Sequence, residues 1–246
     1  MTYAAVTKPA ARRDRAARLR TRLLVIRHGR AWCNDEDVVA GVDECRGLTE
    51  LGHLQARAVA QRLAAEHDDI AAVFSSPIKR AAQTATHIAW ALGIGVESNL
   101  PAPDYGGAVN QPWRIVLGRH NPPLALTPDV PLALGAESWT TWVRRVGLHI
   151  DQLTEQHRGQ TLVLVTHREA VIAMAQHFSQ APPTLAHVTL DVANTAITEW
   201  EQRPLVSPWS RWALVRHNDA RHIEAVNDPR AEPWTAFPQF DPPTAG

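Results

Sequence analysis

The sequence predicts a three-layer α/β/α domain whose mostly parallel sheet is covered by helices on both faces. Short apolar runs without polar alternation recur along the chain, as strands buried on both faces require. Longer stretches between them carry apolar residues at helical spacing along one side. The two kinds of segment alternate, which implies parallel strands joined by helical crossovers.

Leu23-Leu24-Val25-Ile26 is the first such run. Thr49 to Glu66 reads as a helix, with Leu51, Leu54, Ala58, Val59 and Leu63 on one face and Thr49 as N-cap. Ile70 to Phe74 is the second strand. Ser76-Pro77 supplies an N-cap and a proline at the first helical position of a helix to about Leu92. Glu137 to about His157 is a third helix, and Thr161 to Val165 a third buried strand. A fourth helix runs from about Arg168 to Phe178. Thr195 to Trp200 and Trp209 to Val215 read as later strands.

The two ends lack this pattern. Residues 8–22 carry Lys8, Arg12, Arg13, Arg15, Arg18, Arg20 and Arg22 against the single acid Asp14, which reads as a solvated basic tail over 1–22. No apolar stretch with a small-residue cleavage site follows, as a secretory signal would need. From Pro229 onward five prolines and no periodicity predict an extended tail over 229–246. The expected folded domain is therefore 23–228.

Composition narrows the function. The 246 residues carry 25 basic and 25 acidic side chains, without the basic excess of a nucleic-acid protein. Two cysteines, Cys33 and Cys45, provide neither a disulfide scaffold nor a four-thiolate zinc site. No apolar run reaches the roughly 18 residues of a membrane span. A soluble, cytoplasmic protein is expected.

The chemistry-bearing residues lie where the predicted strands end. Arg27-His28-Gly29 closes the first, Ser75-Ser76-Pro77-Ile78-Lys79-Arg80 the second and Thr166-His167-Arg168 the third. In open α/β sheets ligands bind outside the carboxyl ends of strands, so these distant segments converge on one crevice. Arg80 falls in a helix's first turn, where free N–H groups and the helix dipole favour an anion. Fixed arginines beside a helix N-terminus are suited to phosphate. Of the 12 histidines, His53, His67, His87, His149, His157 and His177 fall on helices and receive none of the chemistry.

Taken together, these motifs resemble the histidine phosphatase (phosphoglycerate mutase-like) superfamily. The resemblance rests on Arg27-His28-Gly29 with Asn34, Gly47-Leu48-Thr49-Glu50-Leu51-Gly52, and Ser75-Ser76-Pro77 with Arg80-Ala81 and Gln83-Thr84-Ala85. It continues through Gly135-Ala136-Glu137-Ser138, Val165-Thr166-His167, Asn194 to Thr198, and Asn218-Asp219 with His222. The resemblance implies that His28 is the nucleophile and forms a phosphohistidine, with Arg27, Arg80, His167 and Asn34 around the phosphoryl oxygens. Gly29, Arg30, Arg168 and Trp113 are the further expected substrate contacts. Neither a metal nor a cofactor is implied.

Two features depart from the family pattern. Arg30 stands after the glycine where the family usually has Glu or a similar residue. At the position of the usual glutamate general acid, Leu100 to Gly106 places Ala102. Asp104, two residues on, is the nearest carboxylate and the expected acid; Glu169, close behind His167, is a second candidate. A turn role for Asp104 is an equal alternative. Pro101 to Ala136 contains seven prolines and four glycines in 36 residues, too long for a plain connection, and is expected to form a lid that shapes the substrate pocket. Trp113, Arg114, Arg119 and His120 within it are candidates to face the substrate.

The expectation is a metal-independent phosphomonoesterase acting on a small phosphorylated metabolite. A mutase-type isomerase, a non-catalytic phosphate binder and a repurposed scaffold are the alternatives. The expected partner is a small phosphorylated substrate, with neither nucleic acid nor membrane, and a homodimer is the assembly to look for.

Overall fold

The computed structural model describes residues 20–206 and 209–227. The expected Pro-rich tail and the basic segment before Arg20 lie outside the described residues. In chain order the elements are β1 (Arg22–Arg27), α1 (Trp32–Asp35), α2 (Glu50–Glu66), β2 (Ile70–Ser75), α3 (Lys79–Leu92) and β3 (Val96–Ser98). They continue with α4 (Trp113–Gly118), α5 (Trp139–Gln156), β4 (Thr161–Thr166), α6 (Arg168–Ser179), β5 (Ile197–Pro204), β6 (Ser210–Asp219) and α7 (Glu224–Asn227). The six strands form one sheet in the order β3-β2-β4-β1-β5-β6. Strands β1 to β4 run parallel, whereas β5 and β6 join antiparallel, so the sheet is mixed at one edge.

The apolar runs are explained by burial on both faces. Leu23 and Val25 of β1, with Leu162 and Leu164 of β4, enter one cluster with Val146, Ile150 and Met174 of α5 and α6. Their neighbours Leu24, Ile26, Val163 and Val165 point the other way, against Val59, Leu63 and Ile88 of α2 and α3. A strand's side chains alternate between faces, so a sheet between two apolar helix layers needs apolar residues at every position.

Four local expectations are corrected. The N-cap of α3 is Ile78 rather than Ser76, because Ser76-Pro77 is drawn into the site and the helix begins two residues later. Helix α5 starts at Trp139 with Ser138 as its cap, the Ser138 hydroxyl accepting Thr141 N–H, so Glu137 stands outside the helix. The later strand begins at Ile197, since Thr195 takes a left-handed backbone (φ 55°) that a strand excludes. At the other end Arg22 already belongs to β1, paired with Glu199, and Arg20 pairs with Glu201, so the ordered sheet reaches into the expected tail. Strand β3 had no sequence signal, all three of its residues being exposed. Thr49 caps α2 as expected, accepting Gly52 N–H.

The 101–136 stretch contains two 3₁₀ turns and helix α4. It packs through its own small cluster, in which Tyr105, Ala108 and Val116 surround Val39. None of the described helices is long and apolar enough to cross a membrane.

Candidate active site

The carboxyl ends of β1, β2 and β4 bring their loops to one crevice. A cavity of about 560 Å³ opens there. Arg27, His28, Arg80, Asn34, Arg168 and Asp104 all line it, as does Trp113 from the 101–136 stretch.

His28 is buried, at 4% exposure, where β1 ends. Its Nδ1 lies 2.7 Å from the Gly29 carbonyl oxygen, which can only accept, so Nδ1 carries the proton. Nε2 is therefore the lone-pair nitrogen, and it accepts Arg80 Nε–H at 3.1 Å. Burial, followed by the charge of Arg80, the adjacent His167 and Arg27, holds the His28 pKa well below its ordinary value. The ring is neutral at pH 7, with its lone-pair nitrogen held by Arg80.

Arg80 is itself buried, and its Nη1 donates to the Ala40 carbonyl at 3.0 Å, which fixes the guanidinium beside His28. Arg27 Nη1 donates to the Val192 carbonyl at 2.6 Å, while its buried Nε has no partner among the described residues. His167, at 1% exposure, is the N-cap residue of α6. Its ring lies 5.4 Å from that of His28 between centroids, and its Nε2 is 2.8 Å from Ser76 Oγ. His167 Nδ1 is buried without a partner among the described residues, and burial, then Arg80 and Arg27, depresses its pKa as well. Two neutral histidines and two guanidiniums thus stand together, His28, Arg27 and Arg80 lining the cavity and His167 packed beside His28, with buried hydrogen-bonding capacity suited to an anion.

The loop after β1 can approach this closely because two glycines cross. A Cβ on Gly29 would lie 2.5 Å from Gly52 O of α2, so no larger residue fits without displacing that backbone. Gly29 serves this packing and does not line the cavity; its N–H donates to Thr84 Oγ1 at 3.0 Å. Arg30 also lies off the cavity, exposed and ion-paired with Asp35. Asn34 caps the short α1, its Oδ1 accepting Ala31 N–H. Behind the site, Asn194 Nδ2 donates to His28 O and Thr195 N–H to Arg27 O. His222 reaches Thr195 Oγ1, and Asp219 is held by Arg62 through an ion pair. These later motifs brace the end of β1 rather than face the cavity.

Ala102 offers only its carbonyl, which accepts from Arg145 Nη2. Asp104 is exposed and its Oδ1 accepts Gly106 N–H, an Asx-type turn. Glu169 lines the cavity from the first turn of α6 and has no side-chain hydrogen bond among the described residues. Its charge acts on both Arg27 and Tyr105.

The sequence reading missed several lining residues. Glu137, read as a helix-starting signal, lines the cavity while its carboxylate holds Arg145 and the Asp104 N–H. Trp139, Trp142, Leu132, Ile172 and Leu185 also contribute walls. Of the other lid candidates, Arg114 and Arg119 do not line the cavity, and His120 bonds the Leu132 carbonyl instead. Apolar wall residues carry no chemical signature, so only the packing of the lid identifies them. Among the described residues no group of three or more His, Cys, Asp or Glu is placed to hold a metal ion.

The sequence matches the histidine phosphatase superfamily, branch 1, over residues 23–220. The chain belongs to that family. It is 26% identical to the metal-independent phosphoserine phosphatase of Arabidopsis thaliana over 84% of both chains. The phosphoserine phosphatase of Entamoeba histolytica, solved with phosphoserine, superposes with a TM-score of 0.69 at 22% identity, covering 82% of this chain and 99% of that one. The mycobacterial glucosyl-3-phosphoglycerate phosphatase gives 0.68 at 22% identity, covering 81% and 99%. These structures share the α/β fold of this histidine phosphatase, and the family and its named relatives make the chain a phosphatase.

Proposed function

We propose that the protein hydrolyses phosphomonoesters of small metabolites through a phosphohistidine on His28, without a metal. The observation that carries this reading is the tautomer of His28: a buried, neutral ring at the cavity whose Nε2 carries the lone pair and accepts Arg80 Nε–H, with the charge of Arg27 also acting on it. In the first step Nε2 attacks phosphorus, the P–N bond forms and the ester P–O bond breaks, and the leaving alkoxide takes a proton. In the second, water attacks phosphorus and returns a proton to the carboxylate that protonated the alkoxide, the P–N bond breaks and inorganic phosphate leaves with His28 neutral again.

Arg80 gives up its bond to Nε2 as the phosphate arrives and turns to the equatorial oxygens. Arg27 Nε and His167 Nδ1, both buried and unpartnered among the described residues, complete the oxygen cradle. Guanidiniums suit this task because one planar fork meets two oxygens, which an ammonium cannot do. Asn34 adds a side-chain amide at the rim. Asp104 and Glu169 are the two carboxylates that could protonate the leaving oxygen.

The test is phosphate release across a panel of metabolite phosphates, including phosphoserine and 3-phosphoglycerate, with His28→Ala as control. Turnover should persist in EDTA and be inhibited by vanadate. A requirement for added Mg²⁺ or Zn²⁺ would overturn the metal-free reading.

A further inference from the structure

The cavity extends well past the phosphate cradle, and the part beyond is lined in a way that selects the rest of the substrate. We infer that the substrate carries its single phosphate on an uncharged, largely apolar or aromatic body rather than on one bearing a second anionic group. This rests on the phosphatase reading of the same site.

Two observations carry it. The first is the wall. Leu117, Leu124, Val130 and Leu132 of the 101–136 stretch line it, together with Ile172 and Leu185. Aromatic rings complete it: Trp113 meets Tyr105 edge-on at 5.7 Å, and Trp139 and Trp142 stand at the start of α5. The Trp139 indole N–H is already engaged by Gln176 at 2.9 Å, so this ring presents mainly an apolar face. Such walls favour apolar and aromatic groups with few polar contacts.

The second is the charge left over once a phosphate is bound. Arg27 and Arg80 would be committed to the phosphoryl oxygens. Among the described residues Arg168 is then the remaining cation lining the cavity, against the carboxylates of Asp37, Asp104, Glu137 and Glu169. Arg145 neutralises Glu137, and the carboxyl that donates the leaving-group proton is uncharged when the substrate arrives, which leaves two acids facing one arginine among the described residues. A carboxylate or second phosphate on the substrate would enter a field of its own sign and lose its hydration there. The lining therefore opposes acidic phosphometabolites and favours an apolar alcohol.

The experiment compares benzyl phosphate and 2-phenylethyl phosphate with phosphoserine and 3-phosphoglycerate, all alkyl esters of comparable leaving-group demand. The aryl-bearing esters should exceed the acidic ones by roughly 10²-fold in kcat/KM, the scale of burying one ring. Leu117 lines the cavity yet is 50% exposed, so Leu117→Arg tests the wall with little risk to folding. It should cut kcat/KM for benzyl phosphate and raise it for 3-phosphoglycerate. Calorimetric binding of the same four esters to His28→Ala reads the preference without turnover, which separates a failure of catalysis from a failure of this inference. Equal or better turnover and binding of phosphoserine or 3-phosphoglycerate would overturn it while leaving the phosphatase reading intact.

Discussion

The floor of the cavity and its lid wall are built on different terms. The floor is set by the ends of three sheet strands whose side chains are locked by backbone contacts: Gly29 O for His28, Ala40 O for Arg80, Val192 O for Arg27. The wall comes from a proline-rich stretch whose residues pack mainly on one another. Precise phosphoryl transfer needs groups held to a fraction of an ångström, which a sheet edge provides. Substrate choice needs a surface that can change without disturbing that edge, which a lid provides. The contrast predicts that floor substitutions act on chemistry and wall substitutions on substrate preference.

The largest effect falls on the floor. His28→Ala should lower kcat by roughly 10³-fold or more on every ester, with the melting temperature little changed. The proton donor comes next. Replacing the true donor, by Asp104→Asn or Glu169→Gln, should cost roughly 10²–10⁴-fold on an alkyl phosphate and far less on p-nitrophenyl phosphate, whose phenolate leaves unaided. The free carboxylate of Glu169 and the turn bond of Asp104 make Glu169→Gln the variant expected to show that split. Equal losses on both esters would assign the residue to positioning.

Arg80→Ala should lower kcat/KM by roughly 10²–10³-fold, as for loss of one oxyanion donor, and Arg80→Lys should recover little. On the wall, Leu132→Gln should raise KM for aryl-bearing esters about tenfold with kcat held, the mark of lost uniform binding. A fall in kcat instead would erase the distinction between the two regions.

The smallest effect is on pH dependence. His28 and His167 have pKa values depressed in the folded state, chiefly by burial. The unfolded chain therefore binds more protons as pH drops below about 6.5, and their contribution to stability is lost progressively from there downward. The acid limb of kcat/KM should fall well below pH 6.5 for the same reason, because His28 stays neutral. Vanadate, by offsetting the arginine charge, should raise the melting temperature most in that acidic range. An acid limb at or above pH 6.5 would contradict the burial of His28.

The floor was legible in the sequence because its residues obey two rules at once. Doubly buried strands announce themselves as unbroken apolar runs, and the polar residues at their ends then have little to do except bind. His28, Arg80 and His167 were found that way. Arg30 and Gly29 stand beside His28 in sequence but lie off the cavity, because Gly29 packs against the Gly52 backbone and Arg30 pairs with Asp35. The start of α3 was misplaced because Ser76-Pro77 carries a helix-start signal while Ser76 Oγ is used by His167. The wall was not legible: Leu132, Trp139 and Leu185 meet only after a long loop folds back, and local pattern carries no record of that closure. Strand β3 escaped because an exposed three-residue edge buries nothing.

The most direct test of the central role of His28 is to trap the intermediate. Enzyme mixed with a ³²P-labelled phosphomonoester and quenched in alkali should carry label on the peptide containing His28. That label should be stable to base and released by acid, the behaviour of a phosphoramidate, and absent from His28→Ala. Label on a different residue, or turnover undiminished in His28→Ala, would contradict the account.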